Sequence, residues 1–123
     1  MRHGSPSTER LARQRLRDVL DSCGAIDQYT ADLDFAAYER DRKVRDAVER
    51  RLGIIGEALN RAADFAPELR DQVPEFHQIV GLRNRVIHGC SLVDNVAIWD
   101  VVQNKLPTLE ESVTALIADT FPE

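Results

Sequence analysis

Apolar residues along the chain recur at helical spacing, and no segment alternates like a half-buried strand for more than a few residues. A first helix is expected after Ser7 or Thr8, both good N-caps. Its stripe is Leu16, Val19, Leu20, Cys23 and Ile26, which makes Cys23 a small core residue. The acidic stretch Asp32 to Asp34 reads as a break and a new cap. A long second helix is expected over 34–65, with a stripe of Val44, Val48, Leu52, Ile55, Leu59 and Ala62, widened by Ile54 and Ala58. A stripe that broad predicts packing on two sides, inside a bundle or against a second subunit. Glu39–Lys43, Asp41–Arg45 and Asp46–Arg50 read as i, i+4 pairs on its outer face. They are either a solvated surface or one that faces RNA.

Pro67 and Pro74 bracket a short helical turn. Pro74 fits the first position of a helix that runs to about His88, where Gly89 stops it. Asp94 is expected to cap a short helix through Val102. Pro107 then opens the last helix, whose stripe is Leu109, Val113, Leu116 and Ile117. The predicted fold is all-α: an antiparallel four-helix-type bundle with one or two short extra helices. It occupies residues 8–120 as a single domain, after a polar leader over 1–7 that is expected to be disordered.

The segment Phe76 to Cys90, FHQIVGLRNRVIHGC, carries the candidate chemistry. With Arg83 set at zero, Ile79, Val80, Val86, Ile87 and Phe76 all fall within about 60° of it on the helical wheel. A guanidinium on an apolar face is costly unless it is paired or opens into a cleft. Asn84 and His88 are i, i+4 neighbours at the edge of that face. One short helix thus offers a cation, an amide and an imidazole around a common rim. Structural alternatives exist for each residue. Arg83 can pair with Asp46, Glu49 or Glu57 of the long helix, and His88 can simply sit favourably at a helix C-terminus.

The composition narrows the classes. The chain has 123 residues, 43% of them hydrophobic, and suits one soluble domain with its own core. A net charge of −5 argues against a broadly basic nucleic-acid binder but allows a local cationic site. Only Lys43 and Lys105 are lysines among the 16 basic residues; the others are arginines, which form better phosphate forks. No apolar run is long enough to span a membrane, and the polar start implies a cytoplasmic protein. Cys23 and Cys90 are too few for a disulfide scaffold. No Glu-x-x-His, H-E-x-x-H or C-x-x-C pattern is present, so no metal and no cofactor are expected. His3 and His77 receive no role.

Arg83-Asn84-Arg85-Val86-Ile87-His88-Gly89-Cys90 resembles the R-N-x-x-x-H-x-Y signature of the HepT-like toxins of the HEPN superfamily. DAVERRLGIIGEALNR (Asp46 to Arg61) is similar to the family's second helix. Pro74-Glu75-Phe76 with Ile79-Val80-Gly81-Leu82, Val93-Asp94, Ile98-Trp99-Asp100 and Leu106-Pro107 extend the likeness over about residues 11–118. The resemblance implies a homodimer in which two motifs share one cleft, and a metal-independent ribonuclease toxin. It also implies a nucleotidyltransferase antitoxin that can add AMP to the motif tyrosine. Cys90 stands where that tyrosine would be, and a thiol is a poor substitute for a phenol as an AMP acceptor.

In this reading Arg83 and His88 are catalytic. Arg83 holds the phosphate and His88 acts as acid or base, with an ordinary pKa near ~6.5. Asn84 supports them, and Arg85 is a secondary RNA contact or a solvent-facing residue. RNA is the substrate, and DNA lacks the 2′-hydroxyl nucleophile. A catalytically weak HEPN subunit that docks the nucleotidyltransferase is the second reading, and a purely structural helical dimer is the third.

Overall fold

The computed structural model describes residues 6–87 and 95–121, with side-chain detail over 7–82 and 95–121. Helix α1 spans Pro6–Thr30 and buries Ala12, Leu16, Val19, Cys23 and Ile26 on one face, with Leu20 partly covered. Ser7 and Thr8 lie inside this helix rather than capping it. Proline tolerates the first helical turn, where its missing N–H has no intrahelical partner to lose. At the other end, the buried Thr30 hydroxyl donates to the Ile26 carbonyl at 2.9 Å.

The predicted helix over 34–65 is two helices: α2, Phe35–Arg40, and α3, Arg42–Phe65. The cause is Asp41. Its backbone is extended (φ −99°, ψ 94°), its N–H donates to the Tyr38 carbonyl, and its carboxylate accepts from the Val44 N–H at 3.1 Å. The residue thereby ends one helix and caps the next. Asp34 caps α2 in the same way, accepting from the Ala37 N–H at 2.8 Å. The break also changes the surface pairing. Glu39 and Lys43 lie on different helices, the Asp41 carboxylate is used as a cap, and Asp46 faces Arg42 at 3.9 Å.

Freed from the α3 axis, α2 lies against α6, Asn95–Asp100. Tyr38 is fully buried there, its ring centroid 5.0 Å from that of Trp99, and Phe35 meets the same indole edge-on at 6.3 Å. A strictly continuous helix would hold these aromatics on the α3 axis.

Helix α3 is the centre of the bundle. It buries Val48, Leu52, Ile55, Ala58, Leu59, Ala62 and Ala63 and packs against both α1 and α5 of the same chain, which accounts for its broad apolar stripe. After it come α4, Leu69–Gln72, and α5, Phe76–Ile87. Pro74 does not open α5. It occupies the turn closed by the Phe76 N–H on the Val73 carbonyl at 3.0 Å, and the helix begins two residues later than expected.

The chain from Asn95 to Asp119 is helical without a break. The last helix, α7, spans Leu106–Asp119 with Pro107 in its first turn, as the sequence predicts, and a π-helical stretch, Val101–Lys105, leads directly into it. The Leu106 N–H bonds to the Val101 carbonyl, five residues back. Proline has no N–H and crowds the carbonyl four residues earlier; one wider turn accommodates both effects. Helix α7 packs on α1 and buries Leu106, Leu109 and Val113, with Leu116 and Ile117 partly covered. Among the described residues there is no strand, so the fold is an all-α bundle. No helix among them is long and apolar enough to cross a membrane.

Candidate active site

Helix α5 positions the motif through its packing on α3. Phe76, Ile79 and Leu82 are buried to 2% exposure or less, and Val80 is partly covered. Leu82 extends the buried sector beyond the one read from the sequence, so its middle lies near Ile79. By helix register the Arg83 position falls about 40° from that middle. Gly81, His77 and Gln78 are exposed on the opposite side. The His77 ring meets Phe76 edge-on at 5.4 Å, which gives it a packing role at the start of the helix.

Arg83, Asn84 and Arg85 lie on the C-terminal half of α5. His88, Gly89, Cys90 and Asp94 are outside the described residues, so the helix stop at Gly89 and the cap at Asp94 fall there as well. The backbone therefore brings Arg83 and Asn84 to one end of one helix.

The three carboxylates proposed as partners for Arg83 have the following surroundings. Glu57 accepts from Arg61 at 2.9 Å along α3, and Asp46 lies 3.9 Å from Arg42. Glu49 is partly buried, and its pKa is raised by that burial and by the negative charge of Asp46, against the opposing pull of Arg45.

Two polar clusters went unnoticed in the sequence. The first surrounds Tyr38, whose phenol is pushed up to about 12 by burial and by Glu49, with Arg45 acting in the opposite direction. The Tyr38 hydroxyl and the Arg45 Nε are both buried without a hydrogen-bond partner. The second links α1 to α7. Glu110 is raised by desolvation, by the charge of Asp27 and by a side-chain hydrogen bond to it. Cys23 beneath this pair is buried and free, its thiol pushed up to about 12 by burial and by the Glu110 and Asp27 charges. Only the Phe35-x-x-Tyr38 spacing after a capping aspartate could have signalled the first cluster. Among the described residues, no group of three His, Cys, Asp or Glu side chains is arranged to hold a metal ion.

With this geometry in place, comparison with known proteins is decisive for the family. The profile of the ribonuclease HepT-like family matches residues 19–116, which is most of the bundle. The chain belongs to the ribonuclease HepT-like family. A Methanocaldococcus jannaschii protein named "Putative RNase MJ1380" is 33% identical over 98 residues, covering 80% of this chain and 89% of that protein. A second from the same organism, "Putative RNase MJ0127", is 32% identical over 107 residues, covering 87% of this chain and 88% of its own length. "Probable ribonuclease HepT" of Thermococcus cleftensis is 28% identical over 102 residues, covering 83% and 92%. No solved structure gives a significant match. Membership in this ribonuclease family fits the all-α bundle.

Proposed function

We propose that this HepT-like chain is a metal-independent endoribonuclease toxin that acts as a homodimer and is held in check by a nucleotidyltransferase antitoxin. The observation that carries the reading is the sequence spacing Arg83-Asn84-x-x-x-His88, whose first residues lie on α5, in a chain matched by a ribonuclease family over residues 19–116.

The reaction follows from the groups. The RNA 2′-hydroxyl attacks the adjacent phosphorus, and the bond from phosphorus to the 5′-oxygen breaks. His88 takes the 2′-hydroxyl proton, and the second His88 of a dimer delivers a proton to the departing 5′-oxygen. Arg83 holds the phosphate oxygens as charge builds on them, and Asn84 orients the imidazole or the scissile group. Arg85 makes a secondary phosphate contact. The products are a 2′,3′-cyclic phosphate and a 5′-hydroxyl, and DNA is not cut. The place of action is the cytoplasm, and no cofactor is needed.

Cys90 favours a second reading. Where the family signature has tyrosine this chain has a thiol, so AMP transfer to that position is disfavoured. The partner would then control the protein by masking it, or the chain would be a weak enzyme that mainly docks the nucleotidyltransferase.

The test is cleavage of a mixed RNA pool in EDTA by wild type, His88→Ala and Cys90→Tyr, each first shown to be folded. Cutting by wild type that vanishes in His88→Ala supports the ribonuclease. Activity only in Cys90→Tyr marks the chain as an attenuated form. Silence in all three supports the docking subunit.

A further inference from the structure

Arg45 is a cation on the buried side of the central helix. By register it falls within about 20° of Leu52, Gly56 and Ala63, all buried on α3. Arg51, about 120° round the helix, donates to the Ser22 hydroxyl of α1 at 3.5 Å, so Arg45 is turned away from that contact. Its neighbour is Tyr38 of α2: burial and Glu49 push the Tyr38 phenol up, and the Arg45 charge acts against them.

A guanidinium on a buried face is costly unless it is paired. Three carboxylates lie within four residues of Arg45 along the chain: Asp41, Asp46 and Glu49. Asp41 caps α3 and accepts from the Val44 N–H at 3.1 Å. Asp46 lies 3.9 Å from Arg42. Glu49 is partly buried, and burial together with Asp46 raises its pKa, which disfavours its charged form. The Arg45 Nε is buried with no hydrogen-bond partner, and so is the Tyr38 hydroxyl. Two donors at the junction of α2 and α3 thus lack an acceptor. Tyr38 is fixed by its stacking on Trp99 at 5.0 Å, and Arg45, only partly buried, opens the cluster to solvent.

We propose that Arg45 is a further contact for a phosphate group of the RNA backbone. The inference rests on RNA being the substrate class. A guanidinium is charged at every working pH, and its fork matches phosphate oxygens, which are acceptors only. The break at Asp41 is what releases it. In a continuous helix Asp41 and Arg45 would pair at i, i+4, whereas the cap commits that carboxylate to the backbone. Burial of Nε restricts the side chain, so less freedom is lost when a phosphate binds.

The test uses the full chain carrying Arg45→Gln and, separately, Arg45→Lys, each shown to be folded by circular dichroism. Affinity for 2′-O-methylated oligouridylate and oligoadenylate, which cannot be cut, is measured by fluorescence anisotropy across a salt series. Cleavage of unmodified RNA is measured alongside. Arg45→Gln is expected to bind both oligomers about tenfold more weakly and to flatten the log–log salt slope by about 0.7, the value for one single-strand phosphate contact. Arg45→Lys should keep the slope and recover part of the affinity. Weakening confined to one oligomer would mark a base contact and overturn the proposal. So would a lower melting temperature of Arg45→Gln with unchanged RNA affinity, which would make Arg45 a structural cation. If wild type cuts RNA and Arg45→Gln binds it as tightly, the ribonuclease reading stands and the contact falls. If wild type binds the methylated RNA without cutting the unmodified one, and Arg45→Gln loses that binding, the contact stands and the ribonuclease reading falls.

Discussion

Tyr38 stacks against Trp99 at a centroid separation of 5.0 Å, with its hydroxyl buried and unbonded. The pairing ties α2 to α6, and α6 opens the helical run that follows the motif segment in the chain. The ring and the hydroxyl make opposite contributions. An aromatic pair contributes about 0.5–1.5 kcal/mol beyond its buried area, whereas an unsatisfied buried hydroxyl costs about 1–3 kcal/mol. Tyr38→Phe is therefore expected to be neutral or to stabilise the fold by up to about 1 kcal/mol, and Tyr38→Ala to cost about 3–5 kcal/mol. Urea denaturation of both variants at neutral pH checks the pair of values, and a Tyr38→Phe loss as large as that of Tyr38→Ala would contradict them.

The same phenol makes an alkaline prediction. Its pKa is raised from an ordinary 10 to about 12 in the folded chain. The folded state thus holds the proton more tightly, and this contribution is complete below pH 10. It is lost as pH rises through about 12, the pKa in the fold. Wild type should lose stability across that window more steeply than Tyr38→Phe. Thermal melts at stepped alkaline pH measure the difference.

Asp41 is the hinge on which α2 turns away from α3. Asp41→Ala removes the acceptor for the Val44 N–H and is expected to cost about 1 kcal/mol, as a lost N-cap does. Asp41→Asn keeps a side-chain oxygen and should recover most of it. Because α2 depends on this break for its approach to Trp99, near-ultraviolet circular dichroism should change in Asp41→Ala and much less in Asp41→Asn.

Local periodicity made the bundle legible because each helix buries one stripe, and Leu16, Val48, Leu59, Ile79 and Leu109 are all in the core. Breaks and continuities depend on other terms. Asp41 looked like half of an ion pair with Arg45 because helix spacing alone cannot distinguish a surface carboxylate from one that accepts a backbone N–H. Pro107 marks the start of α7, but the π-helical stretch that joins it to the preceding helix leaves no signal in the sequence. Arg83 and Asn84 lie on the C-terminal half of α5, and the shift of its buried sector towards Leu82 required tertiary packing.

Glu110 and Asp27 join α7 to α1 through two carboxyl groups that share a hydrogen bond. Burial raises the pKa of Glu110, and the charge of Asp27 and this proton-requiring hydrogen bond raise it further. Its stabilising contribution is present below the ordinary carboxylate range and fades as pH climbs through the raised value. Glu110→Gln supplies a donor that does not titrate, so the fall in melting temperature as pH climbs through the raised Glu110 value is expected to flatten in the variant, which thermal melts at stepped pH measure. An equal melting temperature below and above that value in wild type would contradict the linkage.

Cys23 should resist alkylation in the folded protein. The Cys23 thiol is buried with no exposed surface, and its pKa of about 12 leaves almost no thiolate at pH 7. Alkylation by iodoacetamide at neutral pH, mapped by peptide mass spectrometry, is expected to leave Cys23 unmodified in the native protein and to label it fully in urea. Labelling of Cys23 in the native protein at the rate of a free thiol would mean that α1 and α7 separate readily.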